Sequence, residues 1–145
     1  DDALKVADYN KKYNNADYIK LIKSDMFSSS ECEQYKNEDN RFDVIVSNPP
    51  YIPTKDIDEL SEEVRLHDPV LALDGDTDGL KFYKAITKQS VNYLKENGYL
   101  CYEIGYNQAE DVRNIMEQCG YSGIKVIKDL AGLDRVVIGR LNNIN

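Results

Sequence analysis

Phe42-Asp43-Val44-Ile45-Val46-Ser47-Asn48-Pro49-Pro50-Tyr51 is the stretch from which the fold follows. The β-branched run Val44 to Val46 reads as a strand covered on both faces. Proline has no N–H to give to a ladder, so Pro49 and Pro50 end that strand at Ser47 or Asn48. In open α/β sheets ligands bind outside the carboxyl ends of the strands, which places the chemistry in the loop that begins at Asn48.

The residues of that loop suit one kind of acceptor. A carboxamide or exocyclic amine nitrogen is planar, has a delocalised lone pair and carries two N–H donors. The Asn48 side-chain oxygen and the Pro49 carbonyl can accept both, while two fixed proline φ angles keep the loop stiff. Tyr51 offers an aromatic wall to a flat group or to a cationic sulfonium. Holding such a nitrogen in line with an electrophilic methyl is catalysis by positioning, and it requires no general base.

Working outward, residues 1 to 14 are predicted to form a helix capped by Asp1 or Asp2, with Leu4 and Ala7 on one face. Tyr18 to Lys23 alternates as a strand does, and Ser24-Asp25-Met26-Phe27 turns away from its end. Residues 28 to 41 are polar and read as a surface loop or short helix, and Ile52 to Leu73 as a long substrate-facing loop. Apolar spacing gives a helix from Gly79 to Asn97, closed by Gly98, and a second from Gln108 to Cys119, closed by Gly120. Strands are expected over Tyr99 to Ile104, Gly123 to Lys128 and Arg135 to Arg140. The last two are joined by a turn too short for a crossover, so they should be antiparallel. Asp74-Gly75-Asp76-Thr77-Asp78-Gly79 opens like a calcium loop, but Ala85 stands where a bidentate glutamate is needed; the run reads as a turn with Thr77 or Asp78 at the N-cap of the following helix. His67 reads as a surface residue rather than a base, and Glu103 either faces the site or is a satisfied structural carboxylate.

Beyond the tetrapeptide, Ile52-Pro53 follows, then Asp68-Pro69 with Ala72-Leu73 and Asp78-Gly79-Leu80. Tyr102-Glu103-Ile104-Gly105 with Gln108 comes next, and Asp129-Leu130-Ala131-Gly132-Leu133-Asp134-Arg135-Val136-Val137 closes the series. In this set the chain resembles the amino-directed methyltransferases that share an (Asn/Asp/Ser)-Pro-Pro-(Tyr/Phe) motif, and within them the HemK/PrmC family. That resemblance implies a Rossmann-like, mostly parallel methyltransferase sheet with a C-terminal antiparallel hairpin. It implies S-adenosylmethionine as cofactor and S-adenosylhomocysteine as product. The implied substrate is the glutamine side-chain amide in the Gly-Gly-Gln motif of class I peptide chain release factors. Asn48, Pro49, Pro50 and Tyr51 would bind substrate and carry catalysis, Asn48 also touching the cofactor. Asp25 would give the polar contact and Met26 the packing contact to the adenine; the plain alternative is that Asp25 caps the Ser28-Ser29-Ser30 region. Asp68 departs from the family's usual glutamate before this proline.

Composition bounds these expectations. Eighteen Lys and Arg against 26 Asp and Glu leave a net charge of −8, and no basic strip is visible for phosphates. Direct nucleic-acid binding is therefore not expected, although the tetrapeptide alone permits an adenine-N6 or other nucleic-acid amino-methyltransferase. With 41% apolar residues and a mean hydropathy of −0.59, and no apolar run near the roughly 18 residues of a spanning helix, a cytoplasmic protein without membrane contact is expected. Cys32, Cys101 and Cys119 lack metal-ligand spacing, so neither zinc nor disulfides are expected. A noncatalytic calcium-binding or interaction module is the third reading. The first glycine is Gly75, whereas methyltransferases of this type have a glycine-rich turn after their first strand. The chain is accordingly expected to be the C-terminal part of a catalytic domain over residues 1 to 145, without the first two strands. It would be inert by itself and would bind no cofactor tightly.

Overall fold

The computed structural model describes residues 2 to 142, with Arg65 and Leu66 as backbone only. They fall into two units, Asp1–Gln34 and Tyr35–Asn145. In the first, helix α1 spans Asp2–Tyr13 and has no buried residue. Its surface carries Lys5–Asp2 and Lys12–Asp8 pairs at 2.9 and 2.6 Å, at the one-turn spacings that let opposite charges meet on a helix. Beyond it Ala16 is buried while Tyr18 is 89% exposed. The strand expected over Tyr18 to Lys23 does not form. Alternation alone makes no strand without a ladder partner, and here the backbone closes local turns instead, Ile19 N–H to Ala16 O and Ser28 N–H to Asp25 O, both 3.0 Å.

The second unit is built on a four-stranded sheet in the order β1-β2-β4-β3. Strand β1 is Phe42–Ser47, β2 Leu94–Glu103, β3 Tyr121–Lys128 and β4 Asp134–Leu141. β1 and β2 are parallel, with Ser47 beside Tyr102; β2/β4 and β4/β3 are antiparallel. A parallel pair needs a crossover, and residues 48 to 93 supply it. They form α2 (Glu62–His67), the single turn α3 (Val70–Leu73) and α4 (Lys81–Ser90). α5, Ala109–Gln118, leads from β2 to β3 and stops before Gly120, whose φ of +88° closes the turn. The helix expected to reach Asn97 ends at Ser90. Asn97, with φ +63°, and Gly98 instead kink the first part of β2, where the register with β1 slips between Phe42 and Val44.

The core lies where α4 meets β2 and α5 meets β3 and β4. Period-two alternation sends Leu100 and Tyr102 of β2 and Val137 of β4 to that face, and Val112 and Met116 come down from α5; all five are fully buried. Hydroxyl pairs stitch the layer: Thr87 with Tyr102 at 2.9 Å and Ser90 with Tyr121 at 2.7 Å. Val44 is 48% and Val46 74% exposed, which corrects the expectation of a strand covered on both faces. β1 is the sheet edge in the described residues, so a run of β-branched residues marks a strand here without marking two-sided burial.

Candidate active site

β1 stops at Ser47, and Asn48 stands exposed just past it, followed by buried Pro49 and half-buried Pro50 and Tyr51. No hydrogen bond among the described residues engages the Asn48 carboxamide. The loop beyond is zipped to a second segment. Ile52 N–H donates to Leu73 O at 3.0 Å, Gly75 N–H to Ile52 O at 2.8 Å and Thr54 N–H to Asp76 O at 3.1 Å. Thr54 Oγ1 adds a bond to Asp74 Oδ1 at 2.8 Å. The long segment 52 to 73 is thus anchored at both ends.

Glycines let the segments close on Tyr51. A Cβ on Gly75 would lie 2.9 Å from Tyr51 Cα, and one on Gly79 would lie 2.4 Å from Tyr51 O. Gly79 also has φ +71°, a left-handed conformation that costs other residues roughly 1–2 kcal/mol. Gly79→Ala should therefore be destabilised by more than that strain alone. Gly132, with φ +81° and no atom within 4 Å of its virtual Cβ, is the control. Urea denaturation should show Gly79→Ala losing at least about 1 kcal/mol more than Gly132→Ala; equal losses would mean that Tyr51 yields without cost.

Gln108, at the start of α5 and only 6% exposed, reaches the same place. Its Nε2 donates to Tyr51 O at 3.0 Å and to Gly79 O at 3.4 Å, and its Oε1 accepts from Gly105 N–H at 3.0 Å. Glu103 ends β2 half-buried, and its carbonyl accepts the Tyr83 hydroxyl at 3.0 Å. Burial pushes the Tyr83 ionisation well above the ordinary phenol range, so it remains a donor. On the other flank Asp129 accepts from Ala131 and Leu133 N–H and from Arg135, whose Nη1 donates to Ile104 O at 3.1 Å. Those backbone bonds first, with the Arg135 guanidinium, hold the Asp129 carboxyl below the usual range. The Asp-Leu-Ala-Gly-Leu-Asp-Arg run is thus a pinned turn bracing the end of β2.

A cleft of about 550 Å³ opens beside Tyr51, lined also by Pro53, Leu60 and Tyr106 and by Asp56, Glu59, Asp78 and Asp111. Among the described residues Arg135 is the cation that lines it, and it is engaged by Asp129. Such a wall repels phosphates. Asn48 does not line it.

The aspartates of the 74–79 run serve the loop itself. Asp74 Oδ1 accepts from Asp76 N–H at 2.9 Å, Asp76 from Thr77, and Asp78 from Leu80 N–H and Lys84. Leu80 occupies the cap of α4, so the carboxylate expected at the N-cap acts from two residues earlier. The Lys81 ammonium and two Thr77 donors hold Asp76 at about 2. A folded value below the unfolded one stabilises the loop above the ordinary carboxylate pKa, and that contribution disappears as pH falls through the folded value. A carboxyl carbon NMR titration should place the Asp76 midpoint well below the roughly 3.9 of an ordinary aspartate; a midpoint at that ordinary value would remove this lock. Among the described residues no group of three or more His, Cys, Asp or Glu is placed to hold a metal. None of their helices is long and apolar enough to cross a membrane.

Comparison with known proteins then bears on this geometry. A family model described as Eco57I restriction-modification methylase matches residues 2 to 115. The release factor glutamine methyltransferase of Fusobacterium nucleatum is 41% identical over 138 residues, 95% of this chain and 37% of that protein. The one from Clostridium botulinum is 43% identical over 129 residues, 89% of this chain and 44% of that protein. The chain belongs to the HemK/PrmC methyltransferase family. It spans less than half the length of these two relatives. In fold it is similar to the Mtq2-Trm112 complex of E. cuniculi, which is responsible for methylation of the eRF1 translation termination factor. The TM-score is 0.51 at 23% identity, covering 84% of this chain and 61% of that one.

Within this HemK/PrmC chain, Asn48 to Tyr51 lie together at the end of β1. Asp25 and Met26 belong to the N-terminal unit, in which Asp25 is exposed and Met26 half-buried at φ +52°. It is Ser24 Oγ, not the Asp25 carboxylate, that accepts from Ser29 N–H at 2.9 Å. His67 and Asp68 are exposed at the end of α2. Sequence reasoning missed the clasp of Gln108, Gly75, Gly79 and Gly105. Its signal lay in Gly79, Gly105 and Gln108, which stand in the quoted motifs, and in Gly75, none of which the sequence pairs with Tyr51.

Proposed function

We propose that this chain contributes the acceptor-binding part of a protein-glutamine N-methyltransferase that acts on the Gly-Gly-Gln glutamine of class I peptide chain release factors. The observation that carries the reading is the exposed Asn48 at the carboxyl end of β1, on a Pro-Pro loop clasped from three sides, in a HemK/PrmC chain. Asn48 Oδ1 and the Pro49 carbonyl accept the two N–H groups of the substrate carboxamide and turn its nitrogen outward. Tyr51 supports the flat amide. S-adenosylmethionine, when bound, supplies the electrophilic methyl group. The amide needs only to be held in line and shielded, and its proton leaves to water afterwards. For the cofactor, the exposed carboxylate of Asp25 and the half-buried thioether of Met26 have the chemistry for an adenine edge and face. No glycine precedes Gly75 to bring backbone close to it, so residues 1 to 145 are proposed to be the C-terminal part of the catalytic domain and to be inert as an isolated chain.

A nucleic-acid amino group is the second reading, favoured by the description of the matching family model and opposed by the carboxylates beside Tyr51. Offering labelled cofactor with a class I release factor, or with DNA, to the complete gene product separates the two. A mass gain of one methyl on the motif glutamine supports the first; label in DNA with none in the protein replaces it with the second.

A further inference from the structure

We propose that Gln108 is a positioning residue for methyl transfer: by holding the Tyr51 carbonyl it sets where the Asn48 carboxamide stands. The inference rests on the methyltransferase reading above. Gln108 lies 57 residues from Tyr51 in sequence, yet its side chain is almost wholly buried against it. Both N–H groups of the carboxamide are used, on Tyr51 O and Gly79 O, and its oxygen is used by Gly105 N–H. Its backbone is equally fixed: Gln108 N–H donates to Gly105 O at 3.0 Å, and its carbonyl accepts Val112 N–H at 3.0 Å. The side chain therefore springs from a rigid α5 start, and no other residue type reproduces all three bonds from there. Methionine matches the volume and makes none. Glutamate can accept from Gly105 but, ionised, turns a lone pair on the Tyr51 carbonyl.

The consequence for Asn48 follows from chain geometry. The peptide between Tyr51 and Ile52 is planar and is held at both edges, its oxygen by Gln108 and its N–H by Leu73 O at 3.0 Å. Upstream, Pro49 and Pro50 have fixed φ, which leaves few free rotations between that plane and Asn48. A displaced Tyr51 carbonyl is thereby carried to the acceptor oxygen, and placement errors of about 1 Å cost on the order of 100-fold in rate. The requirement for close approach is seen again in Gly79 and Gly105, where a virtual Cβ would fall 2.7 Å from the Gln108 side chain.

The test uses the complete gene product carrying Gln108→Met, Gln108→Glu or Val112→Ala. The last is a buried α5 control outside the site. Gln108→Met is expected to lower kcat at least about tenfold with KM for the release factor changed less than twofold, while Val112→Ala, matched for loss of melting temperature, keeps kcat. In Gln108→Glu a protonated carboxyl regains a donor for Tyr51 O, and burial raises its pKa, so its activity relative to wild type should rise as pH is lowered from 8 to 6. Hydrogen exchange over residues 50 to 54 should speed up in Gln108→Met and not in Val112→Ala, a readout that needs no turnover. Unchanged exchange together with a kcat loss no larger than that of Val112→Ala overturns the clamp. A wild-type protein that methylates neither release factor nor DNA, with exchange still altered in Gln108→Met, overturns the methyltransferase reading and leaves the clamp standing.

Discussion

Replacing Asn48 by alanine in the complete gene product should lower kcat/KM for release-factor methylation by at least about 100-fold, the loss typical of removing one preorganised hydrogen-bonding group from a reacting centre. Asn48 is exposed, and its carboxamide holds no other described residue, so the same substitution should change unfolding free energy by no more than about 0.5 kcal/mol. The combination separates a chemical role from a structural one. Asn48→Asp keeps an acceptor of the same length and should retain more activity than Asn48→Ala, as the Asn/Asp/Ser tolerance of the resembling motif implies. It adds a negative charge next to a nitrogen that becomes transiently positive, so the methyl-transfer step itself does not forbid it. Measured by single-turnover methylation and urea denaturation side by side, an Asn48→Ala protein that keeps more than a third of wild-type rate would remove Asn48 from the mechanism. The proposed amide-binding site would then have to be sought in the cleft beside Tyr51.

What was legible in the sequence was whatever local chemistry dictates. The prolines at 49 and 50 end β1 where a strand cannot continue, Gly120 closes α5, and the Asp129 to Asp134 run turns β3 back on β4 as its length requires. What was not legible depended on partners far along the chain. Tyr18 to Lys23 alternates correctly and still makes no strand, because alternation is silent about a ladder. Val44 and Val46 look like a two-faced core strand and are exposed at a sheet edge. Leu94 fits both the helix spacing before it and the strand after it, and Asn97-Gly98 reads equally as a helix stop and as the kink it is. Within the site, the position of Asn48 just past the end of β1 was readable from the two prolines that follow it. The clasp was not, because Gln108 acts through a carbonyl 57 positions away and the glycines act by what they lack.

The largest effect on stability should come from Tyr102. It is fully buried, meets Tyr83 edge-on at 5.1 Å and 89°, and shares a hydrogen bond with Thr87, which is buried as well. Tyr102→Ala empties a ring-sized volume, costing about 3–5 kcal/mol, and leaves the Thr87 hydroxyl without its partner at a further cost of about 1–3 kcal/mol. Against the 5–15 kcal/mol that holds a typical domain together, the variant should be largely unfolded at 37 °C. Tyr102→Phe removes the hydroxyl alone and should lose about 1–2 kcal/mol. Adding Thr87→Val to it should recover part of that, since both polar partners are then gone. The consequence reaches the site, because Tyr102 lies beside Ser47 in the β1/β2 register and Ser47 directly precedes Asn48. Tyr102→Phe should therefore keep the strand and its activity, whereas Tyr102→Ala should lose both together. Urea denaturation of the three proteins decides it: a loss below about 1.5 kcal/mol for Tyr102→Ala would mean that this face of the sheet is not the core, and that Asn48 is held by the loop clasp rather than by β2.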